Sequence, residues 1–177
     1  MASSSLPSQR GIQLHLCLMV LICCFSSATS YSAGRCKKST TMSGVFYDCS
    51  YKKPPTLNHN FPTDFQNVSI VVSLNFAKSN LADSIPGNAF RQFPQLQYLN
   101  LLLNKIMRVT TQFQDLPMLR RLDLKNNKLT SLPHNAFYNL PRLVSLILAK
   151  NQLKTIYDAH FVNVPQLRTL PGDHISC

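Results

Sequence analysis

The stretch LRRLDLKNNKL, residues 119–129, decides the fold: Leu119, Leu122, Leu124 and Leu129 are apolar, and everything between them is polar or charged. From Leu122 to Lys125 the pattern has period two, which is that of a short strand with leucine on one face and Asp123 and Lys125 on the other. The alternation then breaks at Asn126 and Asn127, before Leu129 restores an apolar side chain.

The same spacing returns along the chain. LQYLNLLLNKI begins at 96, LVSLILAKNQL at 143 and a looser VVSLNFAKSNL at 71, so successive starts lie 25, 23 and 24 residues apart. Leu167 with Leu170 opens another unit 24 residues further on, for about four and a half units in all. The connecting segments repeat as well. IPGNAFRQFPQ, VTTQFQDLPM, LPHNAFYNLPR and IYDAHFVNVPQ each carry Phe90, Phe113, Phe137 or Phe161, followed by Pro94, Pro117, Pro141 or Pro165. A unit of this size buries its apolar side only when stacked on neighbours, so the period reads as a solenoid. Its strands line up as a curved parallel sheet on the concave side, in an α/β architecture with loops and short helical turns on the convex side. Each phenylalanine fills the space under the convex side, and each proline fixes the loop that feeds the next strand.

Solenoid geometry gives Asn127 a role. After the strand the backbone turns inward and its peptide groups leave the ladder in a place water reaches poorly. A buried amide side chain offers both donor and acceptor, so Asn104, Asn127 and Asn151 are expected to form a ladder that satisfies those groups coil by coil. Ser79 holds the same slot in the first coil, where a hydroxyl does only part of the work.

The pattern L-x-x-L-x-L-x-x-N-x-L at this period, over residues 71–170, identifies the chain as a member of the leucine-rich-repeat family. The preceding segment, with Cys36, Cys49 and the run into the first strand, resembles the N-terminal cap and first repeats of a Toll-like receptor ectodomain. That resemblance implies an extracellular module for ligand recognition, as in innate immune sensing or a soluble decoy. Family ectodomains close with a C-terminal cysteine cluster, followed by a membrane span and a signalling domain; these are not found here, and LRTLPGDHISC departs from the repeat after Leu170. The expected division is a signal peptide at 1–30, a cysteine-capped region at 31–69, repeats at 70–170 and a truncated, uncapped tail at 171–177.

The leader is read from Arg10, the apolar run from Leu14 to Phe25, and small Ala28 and Ser30 at the −3 and −1 positions of a cut. The run is shorter than the ~20 residues a membrane helix needs, so the mature chain is expected to be secreted, extracellular and not an integral membrane protein. Removing the leader leaves Cys36, Cys49 and Cys177. In an oxidising compartment Cys36 pairs with Cys49 across twelve intervening residues, and Cys177 lacks a partner in the chain. Asn67-Val68-Ser69 is a sequon and the expected glycosylation site.

Eighteen Lys and Arg stand against seven acidic residues, all Asp, for a formal net charge of +11. That balance favours anionic partners and says nothing about fold. No glycine-rich phosphate loop, zinc spacing or nucleophile with its base is found, so neither catalysis, a metal nor a cofactor is expected. His134 and His160 are expected to face solvent on the convex loops. The outward positions form the candidate surface. They are Val72, Ser73, Asn75, Ala77 and Lys78; Gln97, Tyr98, Asn100, Leu102 and Leu103; Arg120, Arg121, Asp123, Lys125 and Asn126; Val144, Ser145, Ile147, Ala149 and Lys150; then Arg168 and Thr169. Among these, Tyr98, Leu102 and Leu103 beside Arg120, Arg121, Asp123, Lys125 and Lys150 make the best binding patch. The expected partner is a protein, a receptor ectodomain or a microbial ligand. The alternative is a matrix role, holding anionic glycans on the basic surface. A homodimer closed through the uncapped C-terminal edge and Cys177 is a further expectation.

Overall fold

The computed structural model describes residues 30–32, 36–50, 65 and 68–168. The expected leader (apart from Ser30), Asn67 of the sequon, and Thr169, Leu170 and the tail through Cys177 lie outside these residues.

Four strands form on the alternating segments, and the cap and the side of the solenoid add others. β1 (Ser30–Ser32), β2 (Cys36–Thr41) and β3 (Gly44–Asp48) make an antiparallel meander. β4 (Val71–Asn75) then runs parallel to β3. After β5 (Ala82–Ser84), the sheet continues through β6 (Tyr98–Asn100); past β7 (Lys105–Arg108), it goes on through β8 (Arg121–Asp123) and β9 (Ser145–Ile147), all parallel. The repeat is a register as well as a pattern: Leu74 faces Leu99, Leu99 faces Leu122, and Leu122 faces Leu146. β5 and β7 pair separately as a small parallel sheet at the side of the solenoid. A fifth coil begins at Leu167, which is partly buried, and Arg168 N–H donates to Val144 O at 3.2 Å.

The inward slots form apolar columns. Leu119, Leu122, Leu124 and Leu129 are all fully buried, and their counterparts in the neighbouring coils pack above and below them. Each such leucine removed from water contributes about 1.5–3 kcal/mol. Under the convex side the phenylalanines stack as a continuous file. Ring centroids are 5.9 Å apart for Phe90 and Phe113, 6.2 Å for Phe113 and Phe137, and 5.6 Å for Phe137 and Phe161.

The asparagine ladder forms as its spacing predicts. Asn104 Nδ2 donates to Phe76 O (2.8 Å) and Leu101 O (2.9 Å), while its Oδ1 accepts from the N–H groups of Ser79 (3.1 Å) and Leu81 (3.0 Å). Asn127 donates to Leu101 O and Leu124 O, both at 2.9 Å, and accepts from Ile106 N–H at 3.1 Å. Asn151 donates to Leu124 O and Leu148 O and accepts from Leu129 N–H. Ser79 Oγ donates to Cys49 O at 2.8 Å, so the hydroxyl reaches back to the cap but leaves the acceptor role to Asn104.

The cap seals the first coil. Tyr47 and Phe65 meet edge to face at 4.5 Å, and Phe65 meets Phe93 at 5.6 Å, which closes the apolar column with aromatic rings. Gly44, at φ +136°, lets the β2–β3 turn come down on the first coil: a Cβ there would lie 2.6 Å from Val72 Cγ1. Cys36 and Cys49 are bonded as expected, tying the start of β2 to the residue after β3. Changing both to Ser is expected to cost about 3 kcal/mol, the chain-entropy value for a loop of this length. A urea unfolding curve in which the double variant matches the wild type would show that the loop is held without the bond.

Candidate functional site

Parallel pairing sets the concave face out in rows. Phe46, Ser73, Tyr98, Arg121 and Ser145 occupy one row, and Asp48, Asn75, Asn100, Asp123 and Ile147 the next. Adjacent residues in a row are about 4.8 Å apart. Tyr98, 45% exposed, therefore stands directly beside Arg121, which is also exposed. The row beyond brings Leu102 next to Lys125, because Leu103 N–H donates to Lys125 O at 3.0 Å. Behind Arg121, Arg120 aligns with Gln97 and Val144 through the bonds Arg120 N–H to Gln97 O and Val144 N–H to Arg120 O.

The polar residues of the second row are also structural. Oδ1 of Asn75, Asn100 and Asp123 accepts the N–H two residues on, from Ala77, Leu102 and Lys125, at 3.0–3.1 Å. Asn75 Nδ2 in turn donates to Asp48 Oδ1 at 3.0 Å. Asp123 is thus held in a local turn through Oδ1.

Of the expected patch, Tyr98, Leu102, Arg120, Arg121, Asp123 and Lys125 share the sheet face. Leu103 and Lys150 stand at the corner where the chain leaves it. Both have left-handed backbones, at φ 56° and 57°, as do Lys78 and Asn126 in the same slot. Two expected outward residues are not available: Val72 is 5% exposed and Ala77 8%. The β2–β3 turn at Gly44 covers Val72, so the first coil offers less of its face than the repeat alone implies.

His160 also corrects the expectation of a solvent-facing side chain. It is only 4% exposed, packs against Phe161 and Tyr157, and its Nδ1 accepts the Tyr157 N–H at 3.1 Å. Its neighbour His134 is exposed, with ring centroids 6.4 Å apart. Burial, and then the charge of His134, hold the His160 pKa below its ordinary 6.5. The unfolded chain therefore binds this proton at a pH where the folded chain does not. The stability is complete above about pH 6.5 and falls as the pH drops from there toward the lowered folded value. Urea midpoints taken across this window should decline for the wild type and flatten for His160→Gln, which keeps an acceptor but no titrating ring; parallel profiles would contradict this.

A second side-chain file runs along the convex side and was not read from the sequence. Arg91 pairs with Asp115 at 2.9 Å, Asn139 Nδ2 donates to Asp115 Oδ1 at 2.9 Å, and Asn163 Nδ2 donates to Asn139 Oδ1 at 2.7 Å. Asp115, Asn139 and Asn163 are left-handed and 24 residues apart, so an Asx residue two places after Phe113, Phe137 and Phe161 was the available signal. The file braces the coils on the convex side. Among the described residues no group of three His, Cys, Asp or Glu is placed to hold a metal, and no helix is long and apolar enough to cross a membrane.

Residues 72–129 and 117–171 match the family model described as Leucine rich repeat. Comparison with curated proteins finds no match.

Proposed function

Because the chain belongs to the leucine-rich repeat family, whose repeats serve as scaffolds for binding proteins, we propose that it is a secreted recognition module that takes its ligand on the concave sheet. The observation that carries this reading is the adjacency of Tyr98 to Arg121, and of Leu102 to Lys125, on neighbouring coils. Tyr and Arg anchors set in a rim of polar groups are the usual source of binding energy at protein interfaces. The resemblance of the cysteine-bonded cap to that of Toll-like receptor ectodomains supports a role in innate immune recognition, as a pattern-recognition or decoy fragment. Secretion itself is supported by the leader and by the use of cysteine.

The test is a binding screen of the secreted protein against receptor ectodomains and microbial surface molecules, together with sequencing of its mature N-terminus. A ligand found in this way should lose at least about ten-fold in affinity with Tyr98→Ala and with Arg121→Ala, as hot-spot residues do. Silence across both panels, or a ligand indifferent to both changes, would overturn the reading.

A further inference from the structure

On leaving each concave strand the chain crosses a lateral flank in segments 103–108, 126–131 and 150–155. These segments contain Lys105, Arg108, Lys128, Lys150 and Lys154, all exposed, and no acidic residue. Backbone bonds fix how they stack. Lys105 N–H donates to Leu81 O (2.7 Å), Lys128 N–H to Ile106 O (2.9 Å) and Gln152 N–H to Leu129 O (2.8 Å). Lys105, Lys128 and Gln152 therefore hold one slot on successive coils, about 5 Å apart. Arg108 closes β7, and Lys154 falls in the slot that Met107 holds two coils earlier. Five cations thus lie over three coils, a span of about 10 Å along the solenoid axis. None of the five is in a salt bridge among the described residues, where the Arg91–Asp115 pair belongs to the convex side.

We propose that this flank binds a sulfated polysaccharide laid along the solenoid axis, so that consecutive sulfates meet cations of consecutive coils. Crowding five like charges costs self-repulsion that a polyanion relieves. The concave cations are a poorer match, because Arg121 and Lys125 flank Asp123 in sequence and the same row carries Asp48. Among the described residues the flank segments carry no aromatic ring, which points to a glycan over a single-stranded nucleic acid, held largely by base stacking. The exposed tyrosines among the described residues lie elsewhere: Tyr98 on the sheet, Tyr138 and Tyr157 on the convex side. Four of the five cations are lysines, whose mobile ammonium groups need no planar partner. The flank is distinct from the Tyr98–Arg121 surface, so either site can fail without the other.

The probe is heparin, with two full-length variants of equal charge loss. Lys105→Ala/Arg108→Ala/Lys128→Ala is expected to lose at least about ten-fold in affinity near 0.15 M salt and to bind with a shallower salt dependence. Arg120→Ala/Arg121→Ala/Lys125→Ala is expected to lose less than about three-fold, the residue of long-range attraction after screening. Acetylation of wild-type lysines, read by mass spectrometry, gives a measure that needs no variant: heparin should protect Lys105, Lys128, Lys150 and Lys154 in preference to Lys125. Equal losses in the two variants, uniform protection, or wild-type protein that fails to bind heparin at this salt overturns the site. Competition by duplex DNA as strong as by heparin, or by desulfated heparin as strong as by the sulfated form, overturns the assignment to a sulfated glycan.

Discussion

Asn104→Leu is expected to lower the free energy of unfolding by about 4 kcal/mol, although the two side chains are nearly the same size. Two buried N–H groups, those of Ser79 and Leu81, lose the Oδ1 that accepts both, and Phe76 O loses the donated Nδ2 hydrogen. Leaving a buried polar group unpaired costs about 1–3 kcal/mol, and leucine supplies no replacement. Asn127→Leu should cost somewhat less, about 3 kcal/mol, because only the Ile106 N–H loses its acceptor outright. Its two carbonyl partners are shared: Leu101 O also accepts from Asn104, and Leu124 O also accepts from Asn151. Sharing predicts the sign of the coupling. In the double variant Leu101 O loses both ladder donors, so the combined loss should exceed the sum of the singles. Urea unfolding of the four proteins closes the cycle. Additive losses, or single losses under about 1 kcal/mol, would mean that these carbonyls and N–H groups are satisfied in some other way.

The same sharing explains why this ladder was legible from residue types alone. Stacked coils impose one geometry at one slot, so an unusual residue recurring at Asn104, Asn127 and Asn151 can only answer a need that recurs. The core columns and the phenylalanine file were readable for the same reason, and so was the disulfide, since the mature chain offered Cys36 a single near partner. Most of what escaped breaks the repeat, although the Asp115–Asn139–Asn163 file keeps its period. The cap has no period, so nothing in VVSLNF shows that the turn at Gly44 lies over Val72. His160 holds the slot just before the phenylalanine, which Ala89, Gln112 and Ala136 fill in the other coils; the slot is buried in all four, but its residue type changes along the chain and so leaves no pattern to read. The left-handed corner was hidden for another reason. Asn126 favours that conformation, but Leu103, Lys78 and Lys150 adopt it only because the ladder bonds on either side demand it. The concave half of the candidate site followed from alternation, whereas the flank cations follow the period only in part: Lys105 and Lys128 share a slot, but Arg108 and Lys154 do not. They come together because the coils stack, and only after the backbone register is known.

Phe113→Ala tests how far that stacking makes the coils one cooperative body. The ring is fully buried and lies nearly parallel to both neighbours, at 10° to Phe90 and 19° to Phe137. Truncation leaves a cavity that coils pinned by the ladder and by the Asp115–Asn139–Asn163 file close only in part, so a loss of about 4 kcal/mol is expected. Phe113→Leu, which keeps most of the volume, should lose about 1–2 kcal/mol. Phe161→Ala should also be milder than Phe113→Ala, because Phe161 is only partly buried to begin with. Position along the file matters beyond the cavity itself. Stability in a solenoid is approximately a sum of coil terms and nearest-neighbour interface terms, and Phe113 contributes to two interfaces at once. Weakening both in the second coil separates the capped first coil from the third and fourth. The unfolding transition of Phe113→Ala should therefore broaden, with a smaller denaturant slope than the wild type, while Phe113→Leu keeps the wild-type slope. An unchanged slope at the full 4 kcal/mol loss would show that the ladder and the leucine columns alone couple the coils, with the aromatic file serving only to fill space.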